Sequence, residues 1–433
     1  MKPITICWLR RDLRLEDNAA LYHALKSNYP VLVVFIFDEN ILQKLANRAD
    51  ARVTFIHQQL TKIHAALQKN GSSLLIKYGK PEEIWPAILK DYEVKAVYAN
   101  RDYEPYARKR DDGLAEFLIS EGINFHTFKD QVIFEKDEVI KADGKPYTVF
   151  TPYYRLWLKT LTDFHVQSYP TEKYFNNLLQ LEPLPFPTLK DIGFVQAQQK
   201  FPATNFELRL KNYDQQRDYP AVDATTRLGL HLRFGTVSIR RVVKEAQRQG
   251  ADKWLSELVW REFYMMILWH FPHSAQQAFK PVYDNIIWRN NEQEFKAWCE
   301  GKTGYPIVDA GMRQLNETGF MHNRVRMVVA SFLCKHLLID WRWGEAYFAE
   351  KLLDYDLSSN VGGWQWACGS GNDAAPYFRV FNPALQLKKF DPKMEYVYKW
   401  APEYKLPTLP MPIVDHTFAR DRVLKVYKKA LQP

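Results

Sequence analysis

Apolar and polar positions along the first part of the chain switch repeatedly between two periods. Residues 4–9 (Ile-Thr-Ile-Cys-Trp-Leu) read as a strand, and 18–25 carry apolar residues at the three- and four-residue spacing of a helix. Residues 31–37 (Val-Leu-Val-Val-Phe-Ile-Phe) are apolar on both faces, as expected for a strand covered by helices on each side. The alternation continues with a helix over 53–68, a strand over 73–78, a helix over 84–90, a strand over 96–99, a helix over 106–120 and a fifth strand over 124–128. Strands alternating with helices predict a doubly wound parallel sheet.

From 131 to 203 the pattern breaks up, and Pro170, Pro183, Pro185, Pro187 and Pro202 punctuate polar stretches in the manner of a surface connector. Beyond Phe206 the period is helical, clearest over 240–248, 254–270, 309–314, 323–338 and 344–353. The expected architecture is an α/β N-terminal domain over 1–130, an inter-domain linker over 131–203 and a mostly α-helical C-terminal domain over 204–433.

Composition sharpens this picture in two respects. Hydrophobic residues at 46% and charged residues at 25% exclude a disordered chain or a fibre, while the aromatic share of 15%, with Trp 13, Tyr 24 and Phe 26, is rich. The formal net charge of +9 is unevenly placed: 27 basic residues stand against 25 acidic through position 200, and 32 against 25 from 201 onward. A polyanion would therefore dock on the helical part. Cys7, Cys299, Cys334 and Cys368 show no C-x-x-C spacing, so reduced thiols are expected rather than a zinc site or a disulfide framework. The opening residues do not form a signal peptide, and the longest apolar run, 31–37, is too short to cross a bilayer. A cytoplasmic protein with no membrane partner is expected.

Three features of the helical part ask for more than packing. Tyr213 followed by Ala224-Thr-Thr-Arg-Leu-Gly229 offers hydroxyls, backbone N–H groups and an Arg to a phosphate, although the fragment by itself reads first as a plain helix N-cap by Thr225 or Thr226. In the helix that follows, Trp254, Glu257, Trp260 or Arg261, and Tyr264 share one face, an arrangement costly to bury unless its charges are paired. Residues 354–383 mix four glycines with Trp364, Trp366, carboxylates and amides, which lets backbone and indole approach a flat ligand. No strand precedes Gly369-Ser-Gly371, so this is not a dinucleotide fingerprint. His270 and His273 lack metal-ligand spacing and no metal is expected; no Gly-x-Ser-x-Gly elbow is present.

Taken together these segments resemble the photolyase/cryptochrome family over almost the whole chain. The likeness begins at Trp8-Leu-Arg-Arg-Asp-Leu-Arg-Leu-Glu-Asp-Asn18, continues through Gly304-Tyr-Pro-Ile-Val-Asp-Ala-Gly-Met-Arg313 and Met321-His-Asn-Arg-Val-Arg-Met327, and peaks over 360–383. It implies an α/β domain, a long linker and a helical domain cradling FAD, reduced and anionic in the active state. By the same resemblance Tyr213, Thr225, Thr226, Arg227, Leu228 and Gly229 hold the cofactor's phosphates and ribityl chain. Trp254, Glu257, Arg261, Asn323, Arg326, Asp354, Tyr355, Asp356 and Asn360 line the rest, with Arg326 paired to Asp354 and Asn360 facing the flavin. A cation beside the ring favours the reduced anion.

Trp364, Trp341 and Trp288 match the family's electron-transfer chain. Glu257, Trp260, Asn323, Met327 and Trp366 match the pocket for a cyclobutane pyrimidine dimer, with Glu257 nearest the reaction. Arg217, Arg324, Gln386, Lys388 and Lys389 are the candidates for DNA phosphates. The residues at 327, 360 and 366 are of the repair type, so the nearest likeness is to class I cyclobutane pyrimidine dimer photolyases. The implied reaction is light-driven: excited reduced FAD gives an electron to a dimer flipped out of DNA, the ring opens and the electron returns. The rival is a cryptochrome-like blue-light photoreceptor that binds FAD without repair; such receptors commonly carry a C-terminal extension, whereas this sequence ends at Pro433 in a stretch that reads as a last helix. A monomer is expected, associated with the nucleoid if the source is bacterial. Phe320 stands where many relatives have Trp. A second, antenna chromophore in the N-terminal domain would be a flavin or deazaflavin rather than a folate, because Ala107 falls where folate-type members carry a carboxylate; Asp38, Arg52, Asp102 and Glu104 are its candidate residues, or simply solvated helix ends.

Overall fold

The computed structural model describes residues 2–432, and they fall into two compact units. The first holds a five-stranded sheet in the order β3-β2-β1-β4-β5, with β1 Pro3–Leu9, β2 Val31–Asp38, β3 Leu74–Gly79, β4 Glu93–Asn100 and β5 Asn124–Phe128. Every pairing is parallel. Helices Ala19–Leu25, Ala51–Gln68, Pro81–Asp91 and Pro105–Ser120 connect the strands. The order reverses direction between β1 and β4, the point where such sheets usually open a crevice at the strand C-termini. Every residue of β2 is buried, in keeping with its uninterrupted apolar run.

The division of the chain differs from the expected one in two places. The sheet unit takes in Met1–Glu135, but also Thr160–Thr204 and Leu228–Arg248, while Lys136–Lys159 joins the helical unit. The Pro-punctuated stretch is therefore not a free connector. Tyr169 donates its N–H to Asp17 (2.8 Å), the Thr171 hydroxyl donates to Leu15 O (2.7 Å), and the Leu179 N–H donates to Val31 O at 2.9 Å. One side-chain amide, Asn177, serves three carbonyls, those of Leu25, Ser27 and Tyr29. Polar side chains that read as solvated loop are here the partners of backbone groups the sheet unit leaves open.

The helix Ile239–Arg248 is bound to the same unit by charge. Arg240 pairs with Asp17 at 2.9 Å and with Asp130 at 2.7 Å, and Arg14 pairs with Asp130 at 2.6 Å. Burial alone would raise the Asp130 carboxyl, but the two guanidinium groups hold it below its ordinary value. Conversely, the helix Phe150–Thr160, in the stretch expected to be linker, buries Phe150, Tyr153 and Trp157 in the helical unit, where the Trp157 indole N–H donates to Glu262.

In the helical unit Pro306–Thr318, Asn323–Ser331, Trp341–Lys351 and Leu357–Cys368 pack around one apolar cluster, and the long helix Asp252–His270 belongs to the same unit. The helical period over 323–338 is broken by a π-turn at Phe332–His336, a register change that periodicity does not reveal. Two glycines set how closely helices approach. A Cβ on Gly344 would run into the Trp364 ring, and one on Gly362 into the Tyr264 ring. All four cysteines are free. Among the described residues no helix is long and apolar enough to cross a membrane, and no group of three or more His, Cys, Asp or Glu is placed to hold a metal ion.

Candidate active site

Four helices of the helical unit, together with Leu352 and the turn that begins at Asp354, surround a cavity of about 420 Å³. The helix Asp252–His270 presents Glu257, Trp260, Arg261 and Tyr264, one turn after another on one face. Trp254, expected on that face, instead stacks on Phe206 with ring centroids 5.4 Å apart and is buried. The helix Asn323–Ser331 contributes Asn323, Arg326 and Met327, and Asp354, Tyr355, Asp356, Asn360, Trp364 and Trp366 complete the wall. Residues spread over more than a hundred positions thus meet in one place.

The charged part of the wall is paired. Arg326 Nη2 reaches both oxygens of Asp354, at 3.1 and 3.0 Å, while its Nε donates to Met321 O at 2.8 Å. Glu257 is bound by Arg217, whose guanidinium burial would lower and the Glu257 carboxylate raises, with a raised pKa as the outcome. Asp356 caps its helix, accepting the Ser359 N–H at 3.2 Å. Asn360 donates its amide hydrogens to the backbone and carboxylate oxygens of Glu345, at 3.1 and 2.9 Å. Burial pushes the Glu345 carboxyl up against the opposing pull of those hydrogen bonds. With its N–H groups committed, Asn360 has its carbonyl oxygen left for the cavity.

Other expected residues are not part of this cavity's wall. Tyr213 lies with its ring beneath the Arg217 guanidinium, at 5.6 Å. Arg227 has a left-handed backbone, φ 53°, pairs with Asp223 and lies 4.9 Å over the Phe320 ring. Thr225 and Thr226 precede it, whereas Leu228 and Gly229 begin the helix Gly229–Phe234 of the sheet unit. Arg324 pairs with Asp218 at 2.8 Å and lies over Phe390, at the end of the helix Pro383–Phe390 that carries Gln386, Lys388 and Lys389. Trp341 is buried and Trp288 half-buried in the apolar cluster that holds Trp364. No motif or spacing marks Phe348 and Leu352 in the wall or Glu345 behind Asn360, since each becomes a neighbour only through helix packing.

His322 caps the helix bearing Asn323, Arg326 and Met327: its Nδ1 accepts the Arg324 N–H at 3.2 Å. Burial, opposed by Asp218 and reinforced by Arg326, Arg324 and Arg217, lowers it from 6.5 to about 4. The unfolded chain therefore takes up a proton that the folded chain refuses, and stability falls as pH drops from 6.5 towards 4. At pH 5 the loss from this group is about 2 kcal/mol. Urea unfolding at pH 7 and pH 5 will show a smaller difference in His322→Asn, which keeps a capping oxygen; an equal difference would remove His322 from the acid sensitivity.

The residues fit FAD. An aromatic-walled cavity offers a paired cation, a neutral amide and a buried Trp364 indole N–H that has no partner. The left-handed backbone at Arg227 is an uncommon conformation for a residue with a side chain, and it falls in the segment expected to meet phosphate. The residues expected for a second chromophore are engaged otherwise. Asp38 accepts from the Tyr106 hydroxyl at 2.7 Å, Arg52 pairs with Asp50, and Asp102 and Glu104 pair with Arg11.

Comparison with known proteins agrees with this geometry. A model of the FAD-binding domain of DNA photolyase matches residues 254–408, and a DNA photolyase model matches 5–173. The deoxyribodipyrimidine photo-lyase of Synechococcus sp. is 39% identical, covering 92% of this chain and 87% of its own length. Among solved structures, a class III photolyase from Agrobacterium tumefaciens has a TM-score of 0.89 at 34% identity, covering 99% of this chain and 98% of its own. An archaeal photolyase from Sulfolobus tokodaii, solved with two FAD molecules, has a TM-score of 0.82 at 34% identity, over 98% of this chain and 99% of its own. The class is that of a flavoprotein enzyme, an α/β unit followed by a helical FAD-binding unit. The chain belongs to the DNA photolyase family.

Proposed function

We propose that this protein repairs cyclobutane pyrimidine dimers in DNA under blue light. The observation that carries the reading is the convergence of Glu257, Trp260, Asn323, Met327 and Trp366 on the same cavity as Arg326, Asp354 and Asn360. Trp260 and Trp366 supply two indole faces against which extruded bases can stack. Asn323 and the Glu257–Arg217 pair supply polar contacts, and Arg217, Arg324 and Gln386 are candidates for the phosphates on either side. Bound and reduced, FAD would supply the photoexcited electron that opens the cyclobutane ring. This chain's own part is to hold the lesion out of the duplex, keep water from it and keep a positive charge at Arg326.

Within the family we assign class I on Met327, Asn360 and Trp366. Grouping of the whole chain with class III enzymes, the class of the A. tumefaciens neighbour, would overturn the class and leave the reaction standing. A second chromophore in the sheet unit belongs to the same reading, and the two FAD molecules of the S. tokodaii neighbour are its precedent. It has to displace existing ion pairs there, so the absorption spectrum of the purified protein is its direct test.

The function is tested by illuminating chemically reduced protein with thymine-dimer DNA and following the return of thymine absorbance. Bound flavin without repair would favour a photoreceptor instead. Glu257→Ala removes a charge-assisted hydrogen bond of about 1.5 kcal/mol, which slows ring opening against electron return, and repair yield per absorbed photon is expected to fall severalfold. An unchanged yield takes Glu257 out of the chemistry.

A further inference from the structure

A base stacked on an indole is held only as firmly as the indole itself. Trp260 is stacked face to face on Phe150, with ring centroids 3.7 Å apart and planes 8° from parallel. Phe263 meets it edge-on at 5.7 Å, and Tyr264 lies against it at 5.5 Å. One face of the indole is thus sealed by protein while Trp260 lines the cavity. Phe150 is 8% exposed and is itself held in place. Its backbone N–H donates to Asp373 at 2.9 Å, and the Asn372 amide donates to the carbonyl of Thr148 at 3.1 Å. Asn372 and Asp373 follow closely on the helix Leu357–Cys368, which carries Trp366. The short strap 148–150 therefore joins the back of one indole wall to the chain just beyond the other.

We infer that Phe150 is a substrate-positioning residue, fixing the plane of Trp260 against the lesion, with Asp373 and Asn372 holding the strap. The inference rests on the proposed role of Trp260 in the dimer pocket. An indole without this backing turns about its side-chain torsions and must be ordered anew each time a lesion binds, whereas a stacked one is ordered beforehand. Phe150 lies in the stretch that sequence alone reads as linker, so its place behind Trp260 is a product of the fold.

The test uses the full chain with FAD bound, in the dark, with a thymine-dimer duplex and its undamaged counterpart. Phe150→Leu keeps apolar bulk but removes the flat stack. It is expected to weaken dimer binding by about tenfold, with flavin content and binding to undamaged DNA unchanged. Phe150→Tyr, which restores the ring, brings dimer affinity back. Equal loss for damaged and undamaged DNA, or loss of flavin in step, makes Phe150 merely structural and overturns the inference. Should Phe150→Leu not accumulate as folded holoprotein, Asp373→Ala, which spares both rings and removes the tether at the Phe150 N–H, is read in the same way. Trp260→Ala separates the two levels. If it loses dimer affinity while Phe150→Leu does not, the positioning role fails and the pocket stands; if it retains dimer affinity, the pocket reading itself falls.

Discussion

Trp364→Phe will bind flavin but will not photoreduce it, and the same variant, reduced chemically, will still repair dimers. Trp364 lines the cavity and is 2% exposed, so it is the indole of the proposed relay closest to a bound flavin. Its ring packs against Phe348 at 5.0 Å and against Gly344, which sits one helical turn after Trp341. Trp341 is buried in the same cluster, and half-buried Trp288 lies at its edge, 6.1 Å from the Tyr427 ring. A hole formed at Trp364 thus has further indoles in the same packed core. Phenylalanine is far harder to oxidise than tryptophan, yet fills most of the same space; the packing loss is on the order of 1–2 kcal/mol. Flavin absorbance followed under blue light with an external reductant checks the result. Bleaching at the parental rate would show that electrons reach the cofactor by a route that does not include Trp364.

The second large effect is expected at Arg326. Arg326→Met leaves the Asp354 carboxylate in the cavity wall without its bidentate partner. Breaking a fully buried pair costs about 3–5 kcal/mol, but these side chains keep 25% and 20% of their exposure, so about 2–3 kcal/mol is appropriate here. Most of that falls on the holoprotein, whose cofactor occupies this wall, and flavin retention is expected to weaken roughly 30- to 100-fold. Adding Asp354→Asn removes the stranded charge and restores part of the loss, a coupling that a double-mutant cycle reads directly. The measurement is the flavin-to-protein ratio after gel filtration. Parental retention by the single variant would show that the pair contributes nothing to holding the cofactor.

Much of the molecule is legible in its sequence. The sheet follows from the switch between two-residue and helical apolar periods, and the wholly apolar 31–37 announced a strand buried on both faces. The site was legible wherever its residues lie on one helix, as with Glu257, Trp260, Arg261 and Tyr264, because helical geometry alone puts them on one face. It was not legible where partners come from different elements. Trp254 shares that spacing but turns to Phe206, and Asn360 is oriented by Glu345 from the preceding helix. The stretch 131–203 misleads because prolines and polar residues mark where regular hydrogen bonding stops, not where packing stops.

What the sequence determined by itself was the alternation of strands and helices in the first part, the main helices of the second, the family and the kinds of side chain present, since these depend on local periodicity and on ordered motifs. Only the tertiary structure decided which indole is backed by which ring, which carboxylates are paired, and which segments join which unit. Those are contacts between residues far apart in the chain. They form only when helices and straps close over a common core, so their energies belong to pairs and not to positions.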